Sequence, residues 1–355
     1  DHPLYDKALI LTDWMQKPMR WLKWILLSLL ALIVLSLLSL YLALKSNQPQ
    51  YDGQIDGAVE QSVELDRDAQ GYLSIQAQSR SDAAYALGFS HAQERFFQMD
   101  LLRRNSAGEL SELFGEMALD LDQKRRLHRF RHRAELGYKV LPAEQKLLLD
   151  RYTAGVNDGL QQLGLPPFEY WLLQANPRAW TAADSFLALY SMFLDLQGSQ
   201  GKDELAMGLL KQQLPTDWYQ FLMQHSADWQ AAMDGSEVSA VPVPTTPYPA
   251  VLKQQQSACT DCGLFDSRDI GSNNFAVAGS RTADGRAILA DDMHLGIRVP
   301  GTWFKARLQW QQDGETKWVA GVTLPGTPAV VAGSNGNIAW GFTNSTADWS
   351  DVIAL

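Results

Sequence analysis

The pair Gly271-Ser272 has residue types that could do chemistry. Glycine tolerates strained backbone conformations, and in such a conformation the serine hydroxyl can reach the carbonyl carbon of the preceding residue. Attack there would give an ester, and hydrolysis of the ester would free the α-amine of Ser272. We therefore interpret the Gly271–Ser272 bond as a candidate self-cleavage site.

The freed α-amine of Ser272 would itself be a suitable base. An α-amino group has a pKa of roughly 7.7–8, against about 10.4 for lysine, so a useful fraction is neutral near neutral pH. It can take the hydroxyl proton, which makes a single residue both nucleophile and base. Acyl transfer also needs oxyanion donors, each worth about 2.7–4 kcal/mol. Read in isolation, a Gly-Ser pair is more typical of a turn at a domain boundary.

His91 and Glu94, which lie far upstream of Ser272, are a candidate metal site, but they also have a simpler interpretation. They lie three apart on a predicted helix, but the sequence is not the H-E-x-x-H of zinc metalloproteases. We expect helix packing and ion pairing with a nearby arginine: Arg95, Arg103 or Arg104.

The two cysteines, Cys259 and Cys262, form a single C-x-x-C motif. A zinc site would need a second pair of ligands, and no βαβ pattern surrounds the motif as in redox proteins. We expect a small surface disulfide in an oxidising compartment, with two unpaired thiols as the alternative.

Composition limits the partners of the chain. With 46% apolar and 20% charged residues and a net charge of −10, the chain is not expected to carry a nucleic-acid-binding footprint. The basic run 124–133 is interpreted as a solvated helix face, because acidic residues dominate elsewhere.

Residues 24–44 form an uncharged, strongly apolar run. About 20 such residues span a bilayer, whereas the apolar core of a signal peptide has about 7–15. Basic residues cluster within 1–23, so the N-terminus is expected in the cytoplasm and the chain after Lys45 outside it. We expect an uncleaved, single-pass anchor of the inner membrane. A cleaved signal sequence and a buried core helix are the alternatives.

The part after the anchor is predicted to be helical, with one early pair of strands. A polar linker, 45–54, leads to a strand at Val59–Leu65, a turn at Asp66–Gly71 and a returning strand at Tyr72–Ala77. Ser81 or Asp82 can cap a long helix. Further helices are expected at 143–163 and 182–196.

A proline-rich stretch, 235–271, ends this helical region. It is interpreted as an excisable spacer or as an ordinary interdomain linker. From Asn273 the polarity alternates with a period of two, and tight-turn signals follow at 282–285, 313–314 and 335–336. Successive tight turns favour an antiparallel sheet. Ser272 thus lies where the spacer ends and the sheet begins.

Several segments on both sides of Ser272 carry a family resemblance. They are GSNNFAVAGSRT (271–282) and AILADDMHLG (287–296), preceded in order by segments at 66–71, 86–95, 108–115, 152–157 and 180–185. From about residue 55 onward the chain resembles the penicillin acylase family of N-terminal-nucleophile hydrolases, which includes acyl-homoserine-lactone acylases. The resemblance implies an α+β fold, the four-layer αββα sandwich, with an α-subunit region at 55–234 and the first strands of the catalytic β-subunit at 272–355.

The resemblance also implies roles for individual residues. Ser272 would be nucleophile and base, and the backbone of His294 would contact its amine or the substrate carbonyl; a hydrogen-bonded core histidine is the alternative. A backbone N–H at Asn344 or Ser345 would be one oxyanion donor. Leu295 and Phe193 would line the acyl pocket.

A structural calcium ion is a further implication of the resemblance. Asp348, Asp351 and the carbonyl of Ser350 match the family's calcium motif, and Glu204 would supply the remote carboxylate. Hard oxygen ligands at this spacing suit calcium. A solvated acidic turn is the alternative.

The sequence therefore predicts an envelope-anchored, self-processing amidohydrolase precursor with its catalytic part in the periplasm. Its processed α- and β-subunits would form a heterodimer acting on an N-acyl amide such as a β-lactam side chain or an acyl-homoserine lactone. The chain starts without Met and stops at Leu355 inside a strand-like pattern, so both ends are expected to be cut. The family's second oxyanion donor is expected beyond Leu355, so this fragment alone should be inactive. A membrane-anchored scaffold or binding protein that retains the fold without the chemistry is the alternative.

Overall fold

A computed structural model describes residues 4–196, 201–224, 234–237, 239–250, 272–344 and 351–353. The chain mixes helices and strands and divides into two compact units. The first unit comprises Asp1–Ser191 and Ile297–Ala339, and the second comprises Met192–Gly296 and Trp340–Leu355.

Helices dominate the N-terminal two thirds of the chain. They are α1 (Leu4–Ser46), α2 (Arg80–Ala107), α3 (Ser111–Phe114), α4 (Leu119–Arg126), α5 (Phe130–Val140), α6 (Ala143–Gln161), α7 (Phe168–Leu173), α8 (Ala182–Leu196), α9 (Lys202–Gln213) and α10 (Thr216–Leu222).

Helix α1 contains the apolar run that the sequence predicts as an anchor. Within it, Trp21–Ser46 is long and apolar enough to cross a membrane, with a mean hydropathy of 2.7. None of the most apolar window is buried inside the protein, so a core helix does not explain its composition. A signal sequence near an N-terminus passes the same test of length and composition.

The first unit contains a sheet of six strands in the order β1-β2-β5-β6-β7-β8. The strands of the chain are β1 (Glu64–Arg67), β2 (Leu73–Gln76), β3 (Asn273–Val277), β4 (Ile288–Asp292), β5 (Phe304–Gln312), β6 (Glu315–Thr323), β7 (Val330–Ser334) and β8 (Ala339–Trp340). Strand β2 runs parallel to β5, with Leu73 opposite Ala306, whereas β5, β6 and β7 are antiparallel neighbours. The antiparallel sheet predicted for the part after Asn273 is confirmed for β5, β6 and β7. The parallel β2–β5 pair joins strands that are far apart in sequence, and the sequence made no prediction for it.

The sequence predicted a strand that begins at Val59, but β1 begins at Glu64. The residues before it bond to side chains of α2 and so do not form a strand ladder. The backbone N–H of Glu60 donates to Asp82 Oδ1 over 3.0 Å, and that of Ala58 donates to Tyr85 Oη over 3.1 Å. This segment is therefore a strap along α2.

Helix α2 begins two or three residues earlier than predicted. Ser79 is its N-cap, and its hydroxyl oxygen accepts a hydrogen bond of 3.0 Å from the backbone N–H of Asp82. Asp82 lies in the first turn, where a carboxylate is favoured by the helix dipole. The prediction of a cap at Ser81 or Asp82 is wrong because Ser79 already satisfies the N–H group of Asp82.

Helix α2 packs between α6 and the sheet. A Cβ atom at Gly88 would lie 2.2 Å from the Tyr152 carbonyl oxygen, and one at Gly155 would lie 1.9 Å from the Tyr85 carbonyl oxygen. The backbones of α2 and α6 thus touch at glycines. On the sheet side of this core, Leu73 is fully buried.

Two charged side chains of α2 find partners on other elements. Glu94 is ion paired with Arg67 at the end of β1, so the predicted partner on its own helix is wrong. Arg103 is fully buried between Asp100, 2.6 Å from its Nε, and Asp184, 2.9 Å from its Nη1. These pairs fix α2 to β1 and α8, since an unpaired buried charge would be costly.

Candidate active site

Ser272 lies immediately before β3 in the second unit and is half-buried. Strand β3 pairs with β4 in an antiparallel hairpin, in which Asn273 is opposite Asp292. The register puts Ser272 at the same end of the hairpin as the residues that follow β4. Gly271 lies outside the described residues.

His294 lies two residues beyond β4, at this end of the hairpin. Its side chain is 39% exposed, and its Nε2 is 2.6 Å from Asp292 Oδ2. It is therefore not a core histidine, which removes the alternative considered for it. Its ring is oriented by Asp292 on β4, and β4 pairs with β3, the strand that follows Ser272.

A second group of contacts ties the hairpin to the segment after β8. Asn274 Nδ2 donates to the Gly341 carbonyl oxygen over 2.8 Å and is 3.4 Å from Asp291 Oδ1. Asp291 Oδ2 in turn accepts from the backbone N–H of Phe342 over 3.2 Å. Asn274 and Asp291 are direct cross-strand partners. The hairpin thus holds the chain just before Asn344 on both its carbonyl and its N–H side.

Glycine at position 341 permits this approach. A Cβ atom there would lie 2.6 Å from Asp291 Cβ and 2.7 Å from Asp291 Oδ2. The sequence interpretation did not include Asn274, Asp291 and Gly341, because their connection depends on the β3–β4 register. The motifs Ser-Asn-Asn and Ala-Asp-Asp were the available signal.

The other predicted residues are partly described. Asn344 Nδ2 donates to the Leu196 carbonyl oxygen over 3.1 Å, which brings this segment to the end of α8. Phe193, on the last turn of that helix, is 38% exposed. Leu295 is half-buried. Ser345 lies outside the described residues, as do Cys259 and Cys262.

Two of the four predicted calcium ligands are described. Asp351 is exposed, and Glu204 is half-buried on α9. A Cβ atom on Gly201, just before α9, would lie 3.1 Å from a methyl group of Val352, so these two parts of the chain are neighbours. Asp348 and Ser350 are outside the described residues. Within the described part of the chain, no cluster of three or more His, Cys, Asp and Glu side chains could hold a metal.

His91, the other candidate metal ligand, is fully buried in the first unit. Its Nδ1 is 2.8 Å from Tyr152 Oη and its Nε2 is 2.9 Å from Thr323 Oγ1. Burial, together with the charge of Arg95, lowers the pKa of His91 to about 3. It is a neutral, hydrogen-bonded core residue, as the simpler interpretation predicted.

Comparisons with known proteins place these observations in a family. The family model described as Penicillin amidase matches residues 62–355. Acyl-homoserine lactone acylase QuiP of Pseudomonas aeruginosa is 29% identical over 82% of this chain and 34% of its own length. Penicillin acylase 2 proenzyme of Pseudomonas sp. is 31% identical over 87% of this chain and 40% of its own length. The chain therefore spans about a third to two fifths of these relatives.

Among solved structures, a thermostable penicillin G acylase from Alcaligenes faecalis matches 54% of this chain and 100% of the matched chain. The sequence identity of this match is 24% and its TM-score is 0.43.

Proposed function

Because the chain belongs to the penicillin amidase family, we propose that it is part of a self-processing enzyme that hydrolyses N-acyl amides. The observation that carries the proposal is the position of Ser272 directly before β3, at the end of the hairpin where His294 also lies. Two relatives support the reaction class by name, one an acyl-homoserine lactone acylase and the other a penicillin acylase.

In the proposed self-processing step, the Ser272 hydroxyl attacks the carbonyl carbon of Gly271. The peptide C–N bond breaks, its nitrogen takes a proton and becomes the free amine of Ser272, and an ester forms. Water then cleaves this ester. This step frees the C-terminal end of the spacer 235–271, and its removal is proposed to need a second peptide hydrolysis near residue 235, which consumes one more water. The flanking parts are proposed to remain together as an α/β heterodimer.

In the proposed catalytic cycle, the amine of Ser272 takes the hydroxyl proton while the oxygen attacks the substrate amide. The leaving amine departs with a proton, and water hydrolyses the acyl-enzyme to a carboxylic acid. A backbone N–H at Asn344 or Ser345 would stabilise the oxyanion, which mutagenesis in other enzymes values at about 2.7–4 kcal/mol. The Asn274–Asp291–Phe342 contacts support this role, because they fix the segment that leads into Asn344.

The substrate class is proposed from the relatives and from two apolar residues. Leu295 and Phe193 would line the acyl pocket, and the partial exposure of Phe193 is compatible with contact to a ligand. The acyl donor would be a β-lactam side chain, an acyl-homoserine lactone or a similar N-acyl amide. Because the chain spans about a third to two fifths of its relatives, the complete active site is also a proposal, as is the αββα sandwich.

A structural calcium ion fits the described residues in part. Glu204 and Asp351 are carboxylates on neighbouring parts of the chain, and hard oxygen ligands are those that calcium prefers. With Asp348 and the Ser350 carbonyl they would cross-link two chain segments. The ion would supply charge neutralisation there, and no step of the proposed reaction passes through it.

Location at the inner membrane is proposed from α1. The apolar window Trp21–Ser46 supports an anchor whose N-terminal side, with its basic residues, stays in the cytoplasm. The catalytic part would then lie in the periplasm.

The proposal is tested with the product of the complete gene. Mass spectrometry is expected to find a new N-terminus at Ser272, and a panel of N-acyl amides is expected to identify a hydrolysed substrate. Ser272→Ala should abolish both cleavage and turnover, because it removes the nucleophile of both reactions. Ser280→Ala, nearby on the same hairpin, is the matched control and should be processed normally.

An intact Gly271–Ser272 bond in folded, purified protein would contradict the proposal. It would instead favour a membrane-anchored scaffold or binding protein that keeps the fold without the chemistry.

A further inference from the structure

A cavity of about 590 Å³ lies in the first unit, beside the end of α1. Its walls come from residues 47–51, which follow α1, from residues 92–102 of α2, from the region 163–169, and from the loop 298–300. Its volume falls within the range of about 300–1,000 Å³ that is typical of small-molecule sites. Neither the candidate nucleophile nor its hairpin contributes to it.

The segment that follows α1 and forms one wall of the cavity is held in place by hydrogen bonds. Asn47 Nδ2 donates to the carbonyl oxygens of Leu165, over 3.0 Å, and Pro166, over 2.6 Å. The backbone N–H of Gln50 donates to Gln93 Oε1 over 3.1 Å. The predicted linker 45–54 is thus held against the helices in the first part of its length. The cavity therefore has a fixed position just past the apolar helix.

The lining combines apolar side chains with charges of both signs. Phe97, Leu101 and Phe168 contribute apolar surface. The charged lining residues are the cations Arg95 and Arg298 and the acids Glu94 and Glu169. Glu94 is ion paired with Arg67, which lies outside the lining, so its negative charge is compensated there.

Arg95 is the charged group best suited to a ligand. Its Nη1 donates to the Gly301 carbonyl oxygen over 3.0 Å and lies 3.3 Å from Gln98 Oε1. Within the part of the chain that the structure describes, no carboxylate is within ion-pair distance of its guanidinium. A guanidinium has five N–H donors, so further donors remain for an anion.

The rim beside Arg298 is strongly apolar and exposed. Ile297 and Val299 are both essentially fully exposed, at 104% and 100%. Exposed apolar side chains at the mouth of a pocket are a feature of sites that receive apolar ligands.

We propose that this juxtamembrane cavity binds an amphiphile with an alkyl chain and an anionic carboxylate or phosphate head group. The head group accepts hydrogen bonds from Arg95, and the alkyl chain packs on Phe97, Leu101 and Phe168. Two sources share this chemistry: a free fatty acid, which the proposed amidase would release from an acyl amide, and a phospholipid of the bilayer. The identity of these two sources rests on the proposed function. The claim that the cavity binds an amphiphile rests on its volume and lining.

The test uses the full chain in a neutral maltoside detergent. One arm titrates a fluorescent long-chain fatty acid and its alcohol analogue, and the other measures lipid retained by the chain after release from phosphatidylglycerol nanodiscs. Phe168→Asp should weaken fatty-acid binding by about tenfold or more, because it puts a charge against the alkyl chain. Arg95→Gln should weaken binding of the acid roughly tenfold and leave the alcohol unchanged.

Matched controls lie on the same helices but outside the lining. Leu172→Asp, at a position that is 76% exposed on α7, and Arg80→Gln, on α2, should bind like the unmodified chain. Saturable binding of the fatty acid identifies that source, and phosphatidylglycerol retained by the chain identifies the phospholipid. Absence of both, or equal losses in the controls, overturns the proposal. Because Ser272→Ala should bind the amphiphile normally, failure of the self-processing proposal is distinguishable from failure here.

Discussion

The hydrogen bonds of His91 determine which of its ring nitrogens carries the proton. Thr323 Oγ1 donates to the Phe304 carbonyl oxygen over 2.9 Å, so it must accept from His91 Nε2–H. Tyr152 Oη accepts from the backbone N–H of Gly326 over 2.9 Å and therefore donates its own proton to His91 Nδ1. The neutral Nε2–H form satisfies every polar group of this buried network, and a second ring proton on Nδ1 would displace the hydroxyl proton of Tyr152 from its hydrogen bond.

This arrangement predicts a loss of stability in mild acid. The pKa of His91 falls to about 3 in the folded protein from an ordinary value near 6.5, so below that ordinary value the unfolded chain binds the extra proton. The free energy of unfolding should fall by up to about 1.4 kcal/mol per pH unit from there down towards pH 3 and should be flat above it. Denaturant unfolding at several pH values measures this slope.

His91→Gln should be less stable at neutral pH but should have a shallower slope in acid. The control His132→Gln, at an exposed position on α5, should retain the original slope. An unchanged slope in His91→Gln would assign the acid sensitivity to other groups.

The calcium proposal makes a prediction at a described residue. Asp351→Asn should weaken calcium binding by roughly tenfold or more, because it removes one anionic ligand. Thermal unfolding of the complete gene product with and without a chelator should show a smaller calcium-dependent shift in this variant. Asp52→Asn, at an exposed position in the first unit, is the charge-matched control and should keep the full shift.

At the scale of elements, the contact between α2 and α6 tolerates no side chain at its centre. Gly155→Ala should lower the free energy of unfolding by more than about 3 kcal/mol, because the new methyl group would overlap the Tyr85 carbonyl oxygen and both helices would have to separate. Gly208→Ala, on the exposed face of α9 with nothing within 4 Å, should instead stabilise by roughly 0.5–1 kcal/mol. Denaturant midpoints of the two variants provide the comparison, and equal effects would contradict the close approach.

The sequence predicted elements well where the signal was local. The β5–β6 hairpin follows the turn signal Asp313-Gly314, and helices α6 and α8 lie where periodicity indicated them. Prediction failed where residues distant in the sequence determine the local structure. Tyr85 and Asp82 capture the backbone of the strap before β1, and no pattern within that strap indicates these partners.

The candidate site shows the same division. Ser272 was identifiable because its motif is contiguous and lies at a boundary between compositions. The network of Asn274, Asp291 and Gly341 was not, because it needs the hairpin register and the return of the chain after β8. Glu94 was expected to pair within its helix, but its partner comes from β1.

At the scale of the molecule, the charges flanking the apolar part of α1 predict on which side of the membrane the rest of the chain lies. A reporter enzyme that is active only outside the cytoplasm should be active when fused after Gln54, because Lys17 and Arg20 precede the apolar segment Trp21–Ser46 and Lys23 lies near its start. Replacing Lys17, Arg20 and Lys23 by glutamate should reduce that activity several-fold, whereas exchange among lysine and arginine at these positions should leave it unchanged. Alkaline extraction should leave the chain in the membrane. Release as a shortened soluble chain would identify a cleaved signal sequence.

The parallel pairing of β2 with β5 has a consequence for reversibility. These strands come from opposite sides of the Gly271–Ser272 bond, and they share one sheet and one core. While that bond is intact, the sheet closes a loop, and the entropic cost of closure rises only slowly with loop length. Once the bond is cut, the same strands must find each other as separate molecules, so refolding becomes second order and dependent on concentration. Cleavage would thus leave the contacts of the sheet unchanged while turning a fold that can re-form alone into one that persists because it opens slowly.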